Sequence, residues 1–484
     1  MPGIADNVAK IYPAISSTKT AEYYSYISNW KDIYSGSPPW ATVKCKKTKD
    51  SAERRRHLMG TAKFLCDKFA NLIFAEQCDI QVTVPEYKDF LDKVLNRTGF
   101  WRHLPKLISS AFALGGFALK VYADNGKIMI DFVEADDFYP GKWIDDTITS
   151  AVFQTRITKG SDYYTLLEWQ EVGRTVHKLY KSNTEDSLGT ECPVSEVFDN
   201  LEESTIYTGI NVPMFAYFCP SISNNILNAK IPLGISVFAN AEDTLREIDI
   251  VFDSFGREFV LGSKRIIVPA DAMQPVIDIE TGKREFYYDT DDEVFVALNT
   301  EDVENLKITD NSANLRVQEH VTAINSLLNI LCIQTGLSPG AISFDMVHGL
   351  KTATEVISEN NETANTIKSD KNQLNETLET TFHAILNLAF ALHILEKKPY
   401  EITISWNDNV IIDDNTMIDN TIKIYSAGLL DLVSAVMKVN KCDEETAKAI
   451  VEKIKAEQSM GAADFFGEPQ QKAETTEKNP DAKE

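Results

Sequence analysis

From Thr352 to Leu395 apolar residues recur at helical spacing, through Val356, Ala364, Ile367, Leu374, Leu378, Phe382, Ile385, Ala389 and Leu392. As a single helix this run of about 44 residues would span roughly 66 Å. Patterns longer than about 25 residues usually pack against another chain or a repeat. Self-assembly is therefore the expectation. Thr352 and Glu355 open the run with a capping box, T-A-T-E. After Pro399 a strand, EITISW, leads to helices over Asn415–Ser426 and Leu429–Val439 and to a third, capped by Asp443, running through Lys455. The last 25 or so residues, rich in Glu, Lys, Gln, Ala and Pro, have a disordered composition.

Two shorter helical patterns precede the long one. Phe238, Ala241, Leu245, Ile248, Phe252, Phe255 and Phe259 alternate three- and four-residue steps, with Glu242, Asp243, Glu247, Asp249, Asp253 and Glu258 on the remaining faces. The spacing predicts a helix over 236–258, about 35 Å long. Val317, Val321, Ile324, Leu328 and Leu331 repeat the pattern. Between the two, residues 261–315 read as a small β-rich insert with strands RIIVPA, REFYYD and EVFVALN, and carry five Lys and Arg against twelve Asp and Glu. Two helices flanking one insert form an antiparallel pair with the insert at its tip. The second helix and the long run are joined by TGLSPGAISFDMVHGLKTATEVISENNET, where Pro339 limits the loop's beginning and Gly336, Gly340 and Gly349 give it freedom.

The first 235 residues have a different texture. EYYSYISNWKDIYSGSPPWATV reads as an irregular aromatic segment in which Ser37-Pro38-Pro39 ends helical character. A helix is predicted next, with Asp50 and Glu53 as its capping box and Leu58, Ala62, Leu65 and Phe69 on its buried side. IQVTV at 80–84 alternates as a strand, helices follow over Pro85–Asn96 and Trp101–Leu114, and Gly115-Gly116 break the second. FALKVYAD, KIMIDFVE, ITSAVFQTRIT, YYTLLEWQEV and TVHKLYKS are β-branched and aromatic segments divided by turn signals, which makes an antiparallel sheet. The fold class is α+β.

With 484 residues, 43% hydrophobic, the chain can bury real cores. Its formal charge of −24 argues against ordinary duplex binding, because that affinity comes from Lys and Arg neutralising phosphates. Any contact with DNA is expected to be non-adhesive. Seven cysteines, at 45, 66, 78, 192, 219, 332 and 442, form no CxxC pair, the pattern of reduced thiols in a cytosolic protein. Neither they nor the seven histidines give zinc-ligand spacing, so no metal or cofactor is expected. MPGIADNVAK lacks a basic-then-apolar signal, and Phe382–Leu395, interrupted by His383, Asn387 and His393, is too short and polar for a bilayer span.

Several look-alikes fail on chemistry. Gly336-Leu337-Ser338-Pro339-Gly340 fits GxSxG, but that elbow needs a preceding strand and the N–H after the serine, which Pro339 lacks. Asp289-Thr290-Asp291-Asp292-Glu293 is not an EF-hand, since Val294 stands at the turn glycine and Thr300 at the bidentate acid. Asp136-Asp137 and Asp145-Asp146 read as turn residues. No GxxxxGK[ST] and no GxGxxG occurs. One basic cluster, Lys44, Lys46, Lys47, Lys49, Arg54, Arg55 and Arg56, offset by Asp50 and Glu53, nets +5. Two readings stay open for it: a solvated start of the predicted helix, or a salt-sensitive outer patch for an acidic partner or DNA.

LRVQEHVTAINSLLNILCIQTGLSPGAISFD followed by GLKTATEVISENNET resembles the portal proteins of tailed bacteriophages, especially the branch common in phages of Gram-positive bacteria. GISVFANAEDTLREIDIVFDSFGREFVLGSKRIIVPADAM, WKDIYSGSPPW and FANLIFAEQCDIQV share in the resemblance, which runs from about 22 to 455. It rests on the order helix, β insert, helix, SPG loop, KTATE helix. The resemblance implies a phage portal fold with a mixed α/β wing over 1–235, stem helices at 236–258 and 316–335, and a small β-rich clip at 259–315. A tunnel loop would occupy 336–351, the wing's long helix and strand 352–413, a helical crown 414–458, and a tail without counterpart 459–484.

The same resemblance implies a ring, typically of twelve subunits, at one capsid vertex of the virion, with the host cytoplasm as its location during assembly. DNA would be packaged and ejected through it. The terminase large subunit, a head-tail adaptor, and the major capsid and scaffolding proteins would be its partners, with no membrane and no enzymatic role. Ser338, Pro339, Gly340, Ser343, Phe344, Asp345, His348, Gly349 and Lys351 would form the tunnel-loop collar, and Lys264, Arg265, Asp289, Asp291, Asp292 and Glu293 the clip's contact surface. Within 336–350 the only formal charge is Asp345, so the collar would touch duplex without holding its phosphates. Twelve copies would carry −288, and acidic walls repel DNA over a Debye length of about 8 Å. The alternative is another virion ring or scaffold protein that carries no DNA.

Overall fold

A computed structural model of the chain describes residues 2–12, 18–46, 51–74, 77–145, 147–199, 201–226, 231–262, 265–269, 276–277, 284–285, 295–298, 309–311, 314–344, 353–406, 414–440 and 446–454. Two compact units divide it, 1–407 and 408–484.

The first unit opens with α1 (Pro2–Ile11) and α2 (Thr18–Tyr34). The second of these corrects the irregular reading of the aromatic segment. Tyr23, Ile27 and Trp30 recur at helical steps and are buried, and the tyrosine hydroxyls are satisfied inside: Tyr23 donates to the Gly234 carbonyl at 2.7 Å and Tyr24 to that of Phe138. Polar tips disguise what is an apolar stripe.

Asp50, the predicted cap, lies outside the described residues, and the residues after it, Ser51–Arg55, are extended rather than helical. Instead β1 (Thr42–Lys46) and β2 (Ser51–Arg55) pair as an antiparallel hairpin with Lys44 opposite Glu53. The helix begins later, as α3 (Thr61–Ile73), behind Gly60 in the left-handed region at φ 72°. The run Glu53-Arg54-Arg55-Arg56 offers no apolar stripe to bury, so an extended path that hands each guanidinium to a separate acceptor wins over a helix.

Strand β3 (Asp79–Val82), α4 (Pro85–Thr98) and α5 (Phe100–Leu114) follow as expected within a few residues. Nine strands come next: β4 (Phe117–Asp124), β5 (Lys127–Glu134), β6 (Phe138–Ile144), β7 (Thr147–Lys159), β8 (Asp162–Glu171), β9 (Arg174–Ser182), β10 (Thr190–Cys192), β11 (Ser204–Ile206) and β12 (Phe215–Phe218). They make two antiparallel sheets, ordered β10-β9-β8-β7-β6 with β11 also on β9, and β12-β4-β5. Strand β6 was hidden in the sequence by Pro140-Gly141, where the ladder with β7 shifts register.

Helix α6 (Glu242–Leu261) starts six residues later than predicted, because Ser236 turns back on itself, its hydroxyl accepting the Phe238 N–H. Beyond it are β13 (Arg265–Pro269), β14 (Val276–Ile277), β15 (Arg284–Glu285), β16 (Phe295–Leu298) and β17 (Thr309–Asn311). Strand β13 runs parallel to β16 and antiparallel to β17. The chain returns through α7 (Val317–Gln334), then α8 (Ala353–Ala391) and β18 (Ile402–Ser405), which pairs with β3.

Helix α8 overturns the argument from length. Ile367, Leu374, Leu378, Phe382, Ile385 and Ala389 are buried among residues of the same unit, with α8 packed on β12, β4, α3 and α4. Its length does not call for a second copy. At the centre of that core α5 buries Leu104, Ile108, Ala111 and Phe112, the last stacked on Phe69 of α3 at 4.8 Å. Where α5 ends, Gly115 and Gly234 approach so closely that a Cβ on either would sit within 2.6 Å of the other's carbonyl oxygen.

The second unit holds α9 (Asp414–Ser426), α10 (Leu432–Asn440) and α11 (446–454), with Val436, Ala447 and Val451 as its small core. Asp443, the predicted cap, lies outside the described residues. Among the described residues no helix is long and apolar enough to cross a membrane.

Candidate functional site: the braced helix pair

Helices α6 and α7 run antiparallel and are tied at both ends. At the base Thr244 Oγ1 donates to Gln334 Oε1 at 2.8 Å. Near the tip Arg316 grips Glu258 with two guanidinium bonds, at 3.1 and 2.8 Å, and holds its carboxyl down at about 2. Phe255 packs edge-on to Phe259 and beside His320.

A polar seam fixes one side of α6 to the N-terminal arm. Glu242 accepts from Trp30 Nε1 at 2.9 Å and Asn29 Nδ2 at 3.1 Å. Asp249, about two turns on, accepts from Trp40 Nε1 and the Met59 N–H, both at 2.9 Å. Asp253, a turn further, takes a bidentate bond from Arg54 at 2.8 and 2.6 Å and a third from the His57 N–H at 3.1 Å. Arg54 holds the Asp253 carboxyl at about 2, whereas burial raises Asp249 and Glu242 above their ordinary range. Sequence reasoning put these acids on the faces left by the apolar stripe, without partners. The available signal was their seven- and four-residue spacing opposite an arm rich in Trp and Arg, all donors and no acceptors.

That seam also relocates the basic cluster. Arg54 serves Asp253, Arg55 donates to the Gly36 carbonyl at 2.9 Å and Arg56 to the Trp40 carbonyl at 3.1 Å. Lys44 is exposed on β1, and Lys46 ends that strand. Lys47 and Lys49 lie outside the described residues.

The loop after α7 is anchored through its first nine residues. Gly336, at φ 74°, offers its carbonyl to Thr366 Oγ1 at 2.8 Å, and a Cβ there would meet that hydroxyl at 3.0 Å. Ser338 is buried, with its N–H on Thr363 Oγ1 at 2.8 Å and its Oγ bonded by the Thr363 hydroxyl at 3.0 Å. A helix, α7, precedes it, so it is no nucleophile elbow, and burial removes it from any exposed collar. Asn329 Oδ1 accepts the Gly340 N–H at 2.9 Å and Asn325 Oδ1 that of Phe344 at 2.8 Å. Pro339, Gly340, Ser343 and Phe344 stay exposed. Asp345, His348, Gly349, Lys351 and the capping Thr352 lie outside the described residues. So do the predicted clip residues Lys264, Asp289, Asp291, Asp292 and Glu293, while Arg265 opens β13 opposite Asn311.

The order of parts (helix, strand insert, returning helix, anchored loop, long helix) matches a known class. A family profile described as phage portal protein, SPP1 Gp6-like, covers residues 15–463. The chain belongs to that family, and is accordingly a structural component of the virion. Among curated proteins none matches it. Among solved structures, a chain titled "Virion of native gene transfer agent (GTA) particle" aligns over 77% of this chain and 86% of its own, at 11% identity and TM-score 0.40.

Proposed function

We propose that copies of this chain close into a ring at one capsid vertex, with the α6–α7 pairs as the ring's stem and the clip, residues 259–315, as the docking platform for a packaging motor and later a head-tail adaptor. One observation carries this reading. The helix pair leaves apolar side chains exposed at both of its ends in the single chain: Leu261 near the tip is 57% exposed, and Ile333 and Ile330 near the base are 58% and 45% exposed. Side chains of this kind along two braced helices suit a partner that repeats the same surface.

Double-stranded DNA passes through the ring without being gripped, since the chain carries a formal net charge of −24. The loop of residues 336–351 serves as the collar on this reading, and the hydrogen bonds of residues 336–344 to α7 and α8 hold its described part in place. The work of packaging comes from a separate ATPase, because the sequence holds no phosphate-binding loop.

A deletion of residues 345–350 tests the conduit. It keeps the anchored root, so rings and procapsids are expected to form while DNA filling fails. Normal filling would refute a role for that collar.

A further inference from the structure

After α7 ends at Gln334 the chain turns back and climbs the helix it has just left. Asn329 accepts the Gly340 N–H at 2.9 Å, and Asn325, about one turn nearer the tip, accepts that of Phe344 at 2.8 Å. The climb from the level of Gln334 to that of Asn325 covers about 13 Å of α7. At its top the Phe344 ring meets Phe255 of α6 edge-on, with 6.5 Å between centroids.

This returning segment is held unequally along its length. At the root Leu337 and Ser338 are buried, and Ser338 exchanges hydrogen bonds with Thr363 of α8. Beyond it Gly340, Ser343 and Phe344 are exposed, and only Ile342 is buried. The two asparagine bonds are neutral and open to water, which makes their net contribution small. Bonds of that kind are the first to open in a folded chain. Gly340, at φ 84° with open space where a Cβ would stand, supplies the pivot.

Phe255 serves the tip as well as the loop. It packs against Phe259 at 5.3 Å and His320 at 5.6 Å, and His320 Nε2 lies 3.8 Å from the Glu258 carboxylate that Arg316 grips. A line of contacts therefore runs from Phe344 to the clamp at the end of the helix pair.

We propose that residues 340–344 are a latch, closed in this structure, whose opening withdraws Phe344 from Phe255 and loosens the Arg316–Glu258 clamp. The loop's position is thereby transmitted along the helix pair to the point where the strand insert begins. Every contact in this line lies within one chain, so the inference does not rest on ring closure.

Hydrogen exchange of the full-length protein, read at single amides, tests both parts. In the native chain Gly340 and Phe344 should exchange about a hundredfold faster than Ser338. Equal rates would overturn the latch. Asn325→Leu combined with Asn329→Leu removes both acceptors and should speed Gly340 and Phe344 by a further factor of about ten, whereas the pair Asn325→Asp and Asn329→Asp keeps the acceptors and should not speed them. Phe344→Ala changes an exposed side chain and leaves those acceptors in place. It should speed the amides of Gly262 and Arg316, which donate to Glu258, by about threefold. Loop amides no faster in the leucine variant would overturn the clasp, and tip amides unmoved by Phe344→Ala would overturn the transmission.

Discussion

Helix α8 and the α6–α7 pair are both long and amphipathic, and they dispose of their apolar faces in opposite ways. In α8 Leu374, Leu378, Phe382 and Ile385 are fully buried against strands and helices of the same unit. In the pair, one side is clamped to the N-terminal arm by buried acids, while Leu261 near the tip and Ile330 and Ile333 near the base stay about half exposed. Length does not mark the surface that seeks a second copy. On the ring reading proposed above, exposed apolar side chains on an otherwise braced element do.

The largest expected effect lies in α8. Phe382→Ala should cost about 3–5 kcal/mol of stability in urea unfolding, independent of protein concentration. A small loss that grows on dilution would mean that another copy covers this face. Next comes the brace. Arg54→Ala leaves the Asp253 carboxylate buried with half its partners gone, at a cost of about 2–4 kcal/mol, and the double variant with Asp253→Asn should recover part of it. Recovery of nothing would mean that the seam is incidental to α6.

Asp370 of α8 is a buried carboxyl whose Oδ1 accepts the Ser221 N–H at 2.8 Å and whose Oδ2 has no partner. Burial raises it from the ordinary 3.8 to about 6. The folded chain therefore holds a proton that the unfolded chain has released, and stability falls as pH rises from about 4 to about 6. Asp370→Asn should flatten that slope and stabilise the protein at pH 8 by about 1–3 kcal/mol. An unchanged slope would show that the carboxyl is compensated in some other way.

Much of this architecture is legible in the sequence, and the failures share a cause. The helices α4, α5 and α7 and the strands β4, β5, β7, β8 and β9 follow from periodicity, because each buries residues of plainly apolar type. Reading fails where a polar atom is carried into the core by its partner. Tyr23 and Tyr24 disguised α2, Asp249 and Asp253 were left with the other acids outside the apolar stripe, and Arg54, which satisfies Asp253, looked like part of an outer patch or a helix start. Ser338 was read as part of an open loop because nothing local in Gly336–Gly340 announces Thr363 as its partner. These pairings join residues 25 to 211 positions apart, which no local pattern can express.

The smallest effect on stability should accompany the largest on assembly. Ile333→Asp changes an exposed side chain and should shift unfolding of the single chain by no more than about 0.5 kcal/mol. End-on electron microscopy of the purified protein, native beside Ile333→Asp, tests the central claim most directly. Closed rings for the native chain and separate subunits for the variant are the predicted result. Rings that survive the charge, or native protein that stays as single chains at high concentration, would contradict it.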